Sequence, residues 1–297
     1  MIELGLSNGF TEQVFALLGD QFSITQLQAA LTQVLRQFRA KQAEWELIAT
    51  GVMALARSNY ESTYEASQSL SERCIFPYSP TETNGIEDAR FVEFKDGEKT
   101  IFCATYTAYS GRAIRSELLE TTDFRFFRMI PLGGSAARNK GMALFPRKID
   151  GRYAMIGRQD NENLYLIYSD DLYTWDGGQS ILQPEYPWEF VQIGNCGSPI
   201  ELDDCWLLLT HGVGPIRKYS IGAVLLDKND PSKIVARSRE PLVRPEPTER
   251  EGYVPNVVYT CGAMRHGDRI ILPYAISDTF SNFATIEIAA LMQAVAG

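Results

Sequence analysis

Two histidines, His211 and His266, are all that the 297 residues contain, and neither stands in a Cys/His cluster with metal-ligand spacing. A zinc site is not expected, nor is any other metal or organic cofactor. Cysteine is nearly as scarce: Cys74, Cys103, Cys196, Cys205 and Cys261 are odd in number and scattered. That argues against a disulfide framework and reads as reduced, mostly buried thiols of a cytoplasmic protein. No apolar run approaches the roughly 20 residues that a membrane helix needs. The opening MIELGLSNGF has no basic stretch followed by an apolar one, so no signal peptide is expected. Cations are in deficit, 28 Lys and Arg against 37 Asp and Glu, for a formal net charge of -9. That field repels a polyanion and sets nucleic acid aside, yet a few local cations can still hold a small anion.

Proline is missing until Pro77. The chain ahead of it reads as helix and the chain after it as strands and turns, which divides it into a helical segment, 1–72, and a β domain, 73–297. Ser23 with Gln26 forms a capping box. Leu27, Leu31, Val34, Leu35 and Phe38 then line one apolar stripe at helical spacing, and Trp45, Ile48, Val52 and Leu55 line a second. A shorter helix over Thr11–Leu18 precedes both. Stripes of this kind are packing surfaces, so the segment is assigned no chemistry.

Beyond Ser79 the texture is short aromatic and β-branched runs broken by Gly, Asp, Asn and Pro. They are Arg90–Phe94, Thr100–Tyr106, Arg152–Ile156, Leu164–Tyr168, Trp206–Thr210, Ser220–Leu226, Val254–Tyr259 and Arg269–Tyr274. No amphipathic stretch of helix length intervenes before the last dozen residues, which points to antiparallel β architecture. GIEDARF, NKGMALF, NCGSPIE and VPNVVYT recur at about 55-residue intervals, the period of propeller blades. A pair of β-sandwiches is the competing architecture.

A propeller gathers the inner ends of its blades around a funnel, so the polar members of these repeats are the candidates for chemistry. Asp88 and Arg90 would share one face of an extended strand, either as a structural pair or as an acid poised to protonate a leaving group. Arg138, Asn139 and Lys140 bring two cations to the next repeat, with Arg158 on a neighbouring strand. His211 follows an apolar strand and Tyr219 opens the one after it. If the funnel brings them together, they make an anion pocket. Trp188 could stack on a sugar ring or simply pack; Trp175, in a repeated turn, reads as packing.

SLSERCIFPYSPTETNGIEDARF, RNKGMALFPRKIDGRYAMIGRQ, SDDLYTW, GNCGSPIE, LLLTHGVG, YSIGAVLLDKNDPSKIVARSREPLVRPE, EGYVPNVVYTCG and YAISD follow one another from about Leu70 to Asp278. In this order they resemble the motifs of glycoside hydrolase family 130. The resemblance implies a mainly β, five-bladed type of propeller. It also implies inverting phosphorolysis of β-mannosides, with inorganic phosphate as co-substrate and α-mannose 1-phosphate as product. By the same resemblance, Asp88 matches the catalytic acid, acting through a sugar hydroxyl, and Lys140, Arg158, His211 and Tyr219 match the phosphate grip. Asp278 matches a carboxylate that holds the mannose ring, while Arg90 and Asn256 fall in matching substrate-binding motifs.

The resemblance departs at the front. No segment resembles the family's first blade, so about four blades are expected, and Ala89 stands where many members have proline. An open propeller leaves strand edges unpaired, which invites dimerisation or covering by the helices. A hydrolase would need a second carboxylate about 6.5–9.5 Å from the acid to activate water, and Glu189 is the nominee. The alternatives to a phosphorylase are therefore an inverting β-mannoside hydrolase or a catalytically silent carbohydrate-binding propeller.

Overall fold

A computed structural model describes residues 6–37, 42–246 and 252–296. Three helices come first: α1 (Gly9–Ala16), α2 (Ile24–Gln37) and α3 (Gln42–Ser58). Asn8 caps α1, its Oδ1 accepting from the N–H groups of Phe10 and Thr11, so this helix starts and ends two residues earlier than expected. The capping box of α2 is present. Ser23 N–H donates to Gln26 Oε1 at 2.7 Å and Gln26 N–H donates to Ser23 Oγ at 3.2 Å. Leu27, Leu31 and Val34 are buried with Val52 in a core that the helices keep to themselves, with Leu35, Trp45, Ile48 and Leu55 packed against it. Phe38 lies outside the described residues.

Four antiparallel sheets follow, arranged as the blades of a propeller. The first holds β1 (Tyr60–Thr63), β2 (Ile86–Asp96), β3 (Lys99–Tyr109), β4 (Ile114–Thr121) and β5 (Phe126–Pro131), in the order β1-β5-β4-β3-β2. The second runs β6 (Ala143–Leu144), β7 (Tyr153–Gly157), β8 (Leu164–Ser169), β9 (Gln179–Leu182). The third holds β10 (Gln192–Asn195), β11 (Ile200–Glu201), β12 (Cys205–Gly214), β13 (Lys218–Asp227) and β14 (Ile234–Arg237). In the fourth, β17 (Arg269–Ile276) pairs with β15 (Val258–Tyr259), β16 (Met264–His266) and β18 (Phe280–Glu287). A final helix, α4 (Ile288–Ala296), closes the described chain and packs Leu291 and Val295 into the third core.

Apolar side chains fill the spaces between successive sheets, as the alternation of a strand requires. Trp175 is fully buried between the first and second sheets, its Nε1–H donating to Leu172 O at 2.8 Å, so it packs as expected. Two boundaries move. The chain enters the first sheet already at Tyr60, whose strand pairs with β5, so the helices end ahead of residue 72. The run Val254–Tyr259 is a strand only over its last two residues. Pro255 offers no N–H, and Asn256 is left-handed at φ 64.

Left-handed backbone recurs where the repeats recur. Asp88 (φ 59), Asn139 (φ 59), Gly197 (φ 137) and Asn256 (φ 64) each turn the chain at the start of a blade. Asn and Asp tolerate this region better than other residues with a Cβ. The same segments tie the blades together. Thr105 Oγ1 donates to Met142 O, Ser116 Oγ donates to Asn139 O at 3.2 Å, and Asn195 Nδ2 donates to Gly141 O. The degenerate repeat of the sequence is thus a repeated backbone turn at the centre of the molecule.

Candidate active site

Asp88 reaches the centre by a bulge rather than on a regular strand. Glu87 pairs with Thr107 and Arg90 with Thr105, so Asp88 and Ala89 together face the single residue Tyr106. The expectation that Asp88 and Arg90 share one face of an extended strand is therefore corrected: φ 59 turns Asp88 out of the pleat. The two meet all the same. Arg90 Nη1 donates to Asp88 O at 3.0 Å, and Arg90 Nη2 lies 3.8 Å from Asp88 Oδ2. Arg90 is 2% exposed and the Asp88 side chain 20%.

The phosphate-grip residues named from the sequence converge beside this pair. Arg158 Nη1 lies 3.4 Å from His211 Nε2. His211 Nδ1–H donates to Asn195 O at 3.1 Å, which leaves Nε2 as the acceptor towards Arg158. The Tyr219 ring stacks on His211 with centroids 5.8 Å apart. Lys140 stands at the rim, its Nζ 2.8 Å from Glu87 Oε1. Gly194 makes room for the cluster, because a methyl group there would collide with the His211 ring and lie 3.1 Å from Arg158 Nη1.

Cations crowded around a buried imidazole set the electrostatics. Burial, with Arg158, Arg90 and Lys140 close by, holds His211 well below the usual imidazole range, so it is neutral at pH 7. Burial also lowers Arg158, and Arg90 adds to that lowering. Gln192, its amide oriented to satisfy both ends, accepts from Arg158 Nη1 at 3.0 Å. The Nε atoms of Arg90 and Arg158 are buried and find no partner among the described residues. A buried guanidinium with a free donor is what an anion would satisfy.

Tyr259 was missed by sequence reasoning. Its hydroxyl accepts from Arg90 Nη2 at 2.7 Å and reaches Asp88 Oδ2 at 3.1 Å, while its ring meets His211 edge-on at 5.1 Å. Burial raises its phenol well above the ordinary value. The segment VPNVVYT did stand out as a repeat, but a tyrosine ending an apolar run reads as packing.

A cavity of about 680 Å³ opens beside Asp88 and is lined also by Tyr259, Cys261, Tyr274 and Asp278. Asp278, left-handed at φ 49 in the turn between β17 and β18, is thus on the same wall system as Asp88. Asn256 contributes its backbone, its carbonyl accepting from Tyr219 N–H at 3.0 Å.

Two residues proposed from the sequence stand elsewhere. Trp188 packs against Gly212 and Gly222, whose faces alternate with that of His211, and its Nε1–H donates to Arg239 O at 2.9 Å. Its ring covers the far face of the sheet and not the cavity, because two glycines leave a slot that an indole fills. Glu189 is fully buried, accepts from the N–H groups of Glu185 and Tyr186, and pairs with Arg237. It packs against Gly212 on the same far face of the sheet as Trp188, away from the cavity. Among the described residues no group of three His, Cys, Asp or Glu could hold a metal ion.

The family model described as β-1,4-mannooligosaccharide phosphorylase, that of glycoside hydrolase family 130, matches residues 28–296. The chain belongs to glycoside hydrolase family 130. Its curated family 130 relatives include a 1,2-β-oligomannan phosphorylase of Thermoanaerobacter sp. (strain X514), 42% identical over 50% of this chain and 51% of the relative. A β-1,2-mannobiose phosphorylase of the same organism is 34% identical over 70% of this chain and 68% of the relative. A solved complex of the β-1,2-mannobiose phosphorylase from Listeria innocua with β-1,2-mannobiose superposes with a TM-score of 0.66 at 27% identity. It covers 74% of this chain and 63% of that one. The chain thus spans about half to two thirds of the length of the relatives it matches.

Proposed function

We propose that the site carries out inverting phosphorolysis of a β-mannoside. The observation that carries this reading is the pair of buried guanidiniums, Arg90 and Arg158, each with an unpartnered Nε, set beside the Asp88 carboxylate. Phosphate is already an anionic nucleophile, so such a site needs cations to hold it and no base to activate it. A hydrolase needs the opposite, a second free carboxylate. Glu189 is committed to Arg237, which favours phosphorolysis over hydrolysis.

In the proposed reaction phosphate lies on Arg158, His211, Tyr219 and Lys140 and attacks the anomeric carbon from the face opposite the leaving sugar. As the glycosidic C–O bond breaks, Asp88 gives its proton, through a sugar hydroxyl, to the departing oxygen. The products are α-mannose 1-phosphate and a sugar shortened by one mannose. Asp278, on the cavity wall, holds the mannose ring. Two relatives, a 1,2-β-oligomannan phosphorylase and a β-1,2-mannobiose phosphorylase, make β-1,2-linked mannosides the first substrates to try. Incubation with β-1,2-mannobiose with and without phosphate tests the reading. Mannose 1-phosphate formed only with phosphate supports it; mannose released at the same rate without phosphate overturns it. Sugar binding without turnover in either condition assigns a binding propeller instead.

A further inference from the structure

Asp88 has two oxygens, and they are not equivalent. Arg90 can only donate, and its Nη2 lies 2.7 Å from the Tyr259 hydroxyl oxygen. The phenol hydrogen therefore points elsewhere, and Asp88 Oδ2 receives it at 3.1 Å. Arg90 Nη2 itself stands 3.8 Å from that same oxygen. Among the described residues Oδ1 meets only the Cys261 sulfur, at the long distance of 3.7 Å. An oxygen that accepts a hydrogen bond beside a guanidinium is where negative charge settles, and the other is where a proton stays.

We propose that Tyr259 is a positioning residue that assigns the transferable proton of Asp88 to Oδ1 and receives the charge left on Oδ2 once that proton has gone. The inference rests on the phosphorolysis reading and names a residue that this reading does not require. Tyr259 is well placed to be rigid. Its backbone pairs with Ala275 of β17, and Val257 two residues before it bridges to Tyr219 of β13. The ring spans the site, with its edge on His211 and its hydroxyl on Asp88. Burial pushes Cys261 up to about 12, so the neighbouring sulfur remains a thiol and a weak partner that leaves Oδ1 free to donate.

The hydroxyl can be removed while the ring stays. In Tyr259→Phe the contact with His211 persists, so the phosphate KM should stay within about twofold, while kcat on β-1,2-mannobiose should fall roughly tenfold to a hundredfold, the range for one charge-assisted hydrogen bond. An aryl β-mannoside whose phenol leaves without protonation needs no acid, and its phosphorolysis should change by no more than about twofold. Adding Tyr259→Phe to Asp88→Asn should cost nothing further on the disaccharide. Equal losses on the two substrates, a changed phosphate KM at constant kcat, an unchanged disaccharide rate, or full additivity with Asp88→Asn would each overturn the inference while leaving phosphorolysis standing. A wild-type protein that forms no mannose 1-phosphate from either substrate overturns both.

Discussion

Arg158 and Glu117 are two buried ionisable residues whose neighbours make opposite demands. Arg158 is a cation with a donor to spare, so replacing it with Gln should raise the phosphate KM by roughly tenfold to more than a hundredfold, as one charge-assisted bond is lost. Steady-state kinetics at varied phosphate measures this. Glu117 has the reverse problem. The Tyr106 hydroxyl lies 2.8 Å from Glu82 Oε1 and 2.9 Å from Glu117 Oε2, yet it has one hydrogen to offer two fully buried carboxyls. Glu82 is served by Tyr60 and by the N–H groups of Tyr78 and Ser79, whereas among the described residues Glu117 has otherwise only Thr81. Burial raises Glu117, the Thr81 and Tyr106 bonds oppose this, Glu82 adds to it and Arg115 lowers it slightly. Burial thus favours the protonated form of Glu117. Because its folded proton affinity exceeds the unfolded one, its stabilisation is complete below the unfolded value and is lost as pH rises through the folded value. Glu117→Gln needs no proton, so its stability relative to wild type should increase with pH, by at most about 1.4 kcal/mol per unit. Urea unfolding between acid and neutral pH checks the sign. None of this was visible in the sequence, since Glu82 stands ahead of β2 and Glu117 on β4, and only the fold brings both to Tyr106 of β3.

The strands make the site by bringing backbones close, and β10 against β12 shows how. Gly194 pairs with His211, and its missing side chain is the space that the imidazole and the Arg158 guanidinium occupy. Gly194→Ala should cost about 1–3 kcal/mol of stability, as overpacking of a filled site does, and weaken phosphate more than sugar binding. Thermal unfolding and separate titrations of phosphate and mannobiose distinguish the two effects. At this scale the sequence was partly legible. Long apolar runs such as Trp206–Thr210 and Ser220–Leu226 fell inside observed strands, and the Ser23–Gln26 capping box formed as read. Val254–Tyr259 shrank because Pro255 and Asn256 break the pleat, and the Asp88 bulge went unseen because period-two reasoning assumes a regular strand. Trp188 was misplaced for a similar reason: two glycines on separate strands form its slot, and their pairing is not written in either strand.

The whole molecule carries a net charge of -9 and yet holds two guanidiniums in its centre. If phosphate occupies that centre, it binds the folded state alone and must stabilise it. Phosphate at a hundred times its dissociation constant should add about 2.7 kcal/mol, seen as a rise in Tm, and Arg158→Gln should cut that stabilisation to about half or less. Equal stabilisation of both proteins would mean that phosphate acts elsewhere on the surface. Composition and periodicity determined the division into helices and antiparallel blades, because burying apolar stripes of a given spacing is a local demand. The ordered motifs determined the family and nominated Asp88, Lys140, Arg158, His211 and Tyr219. Only the tertiary structure decided that Tyr259 bridges acid and clamp, that Glu189 is spent on Arg237, and that Trp188 faces away. Those outcomes depend on which side chains from separate segments arrive within hydrogen-bonding distance, and that distance is a property of how the sheets are arranged, not of any one segment.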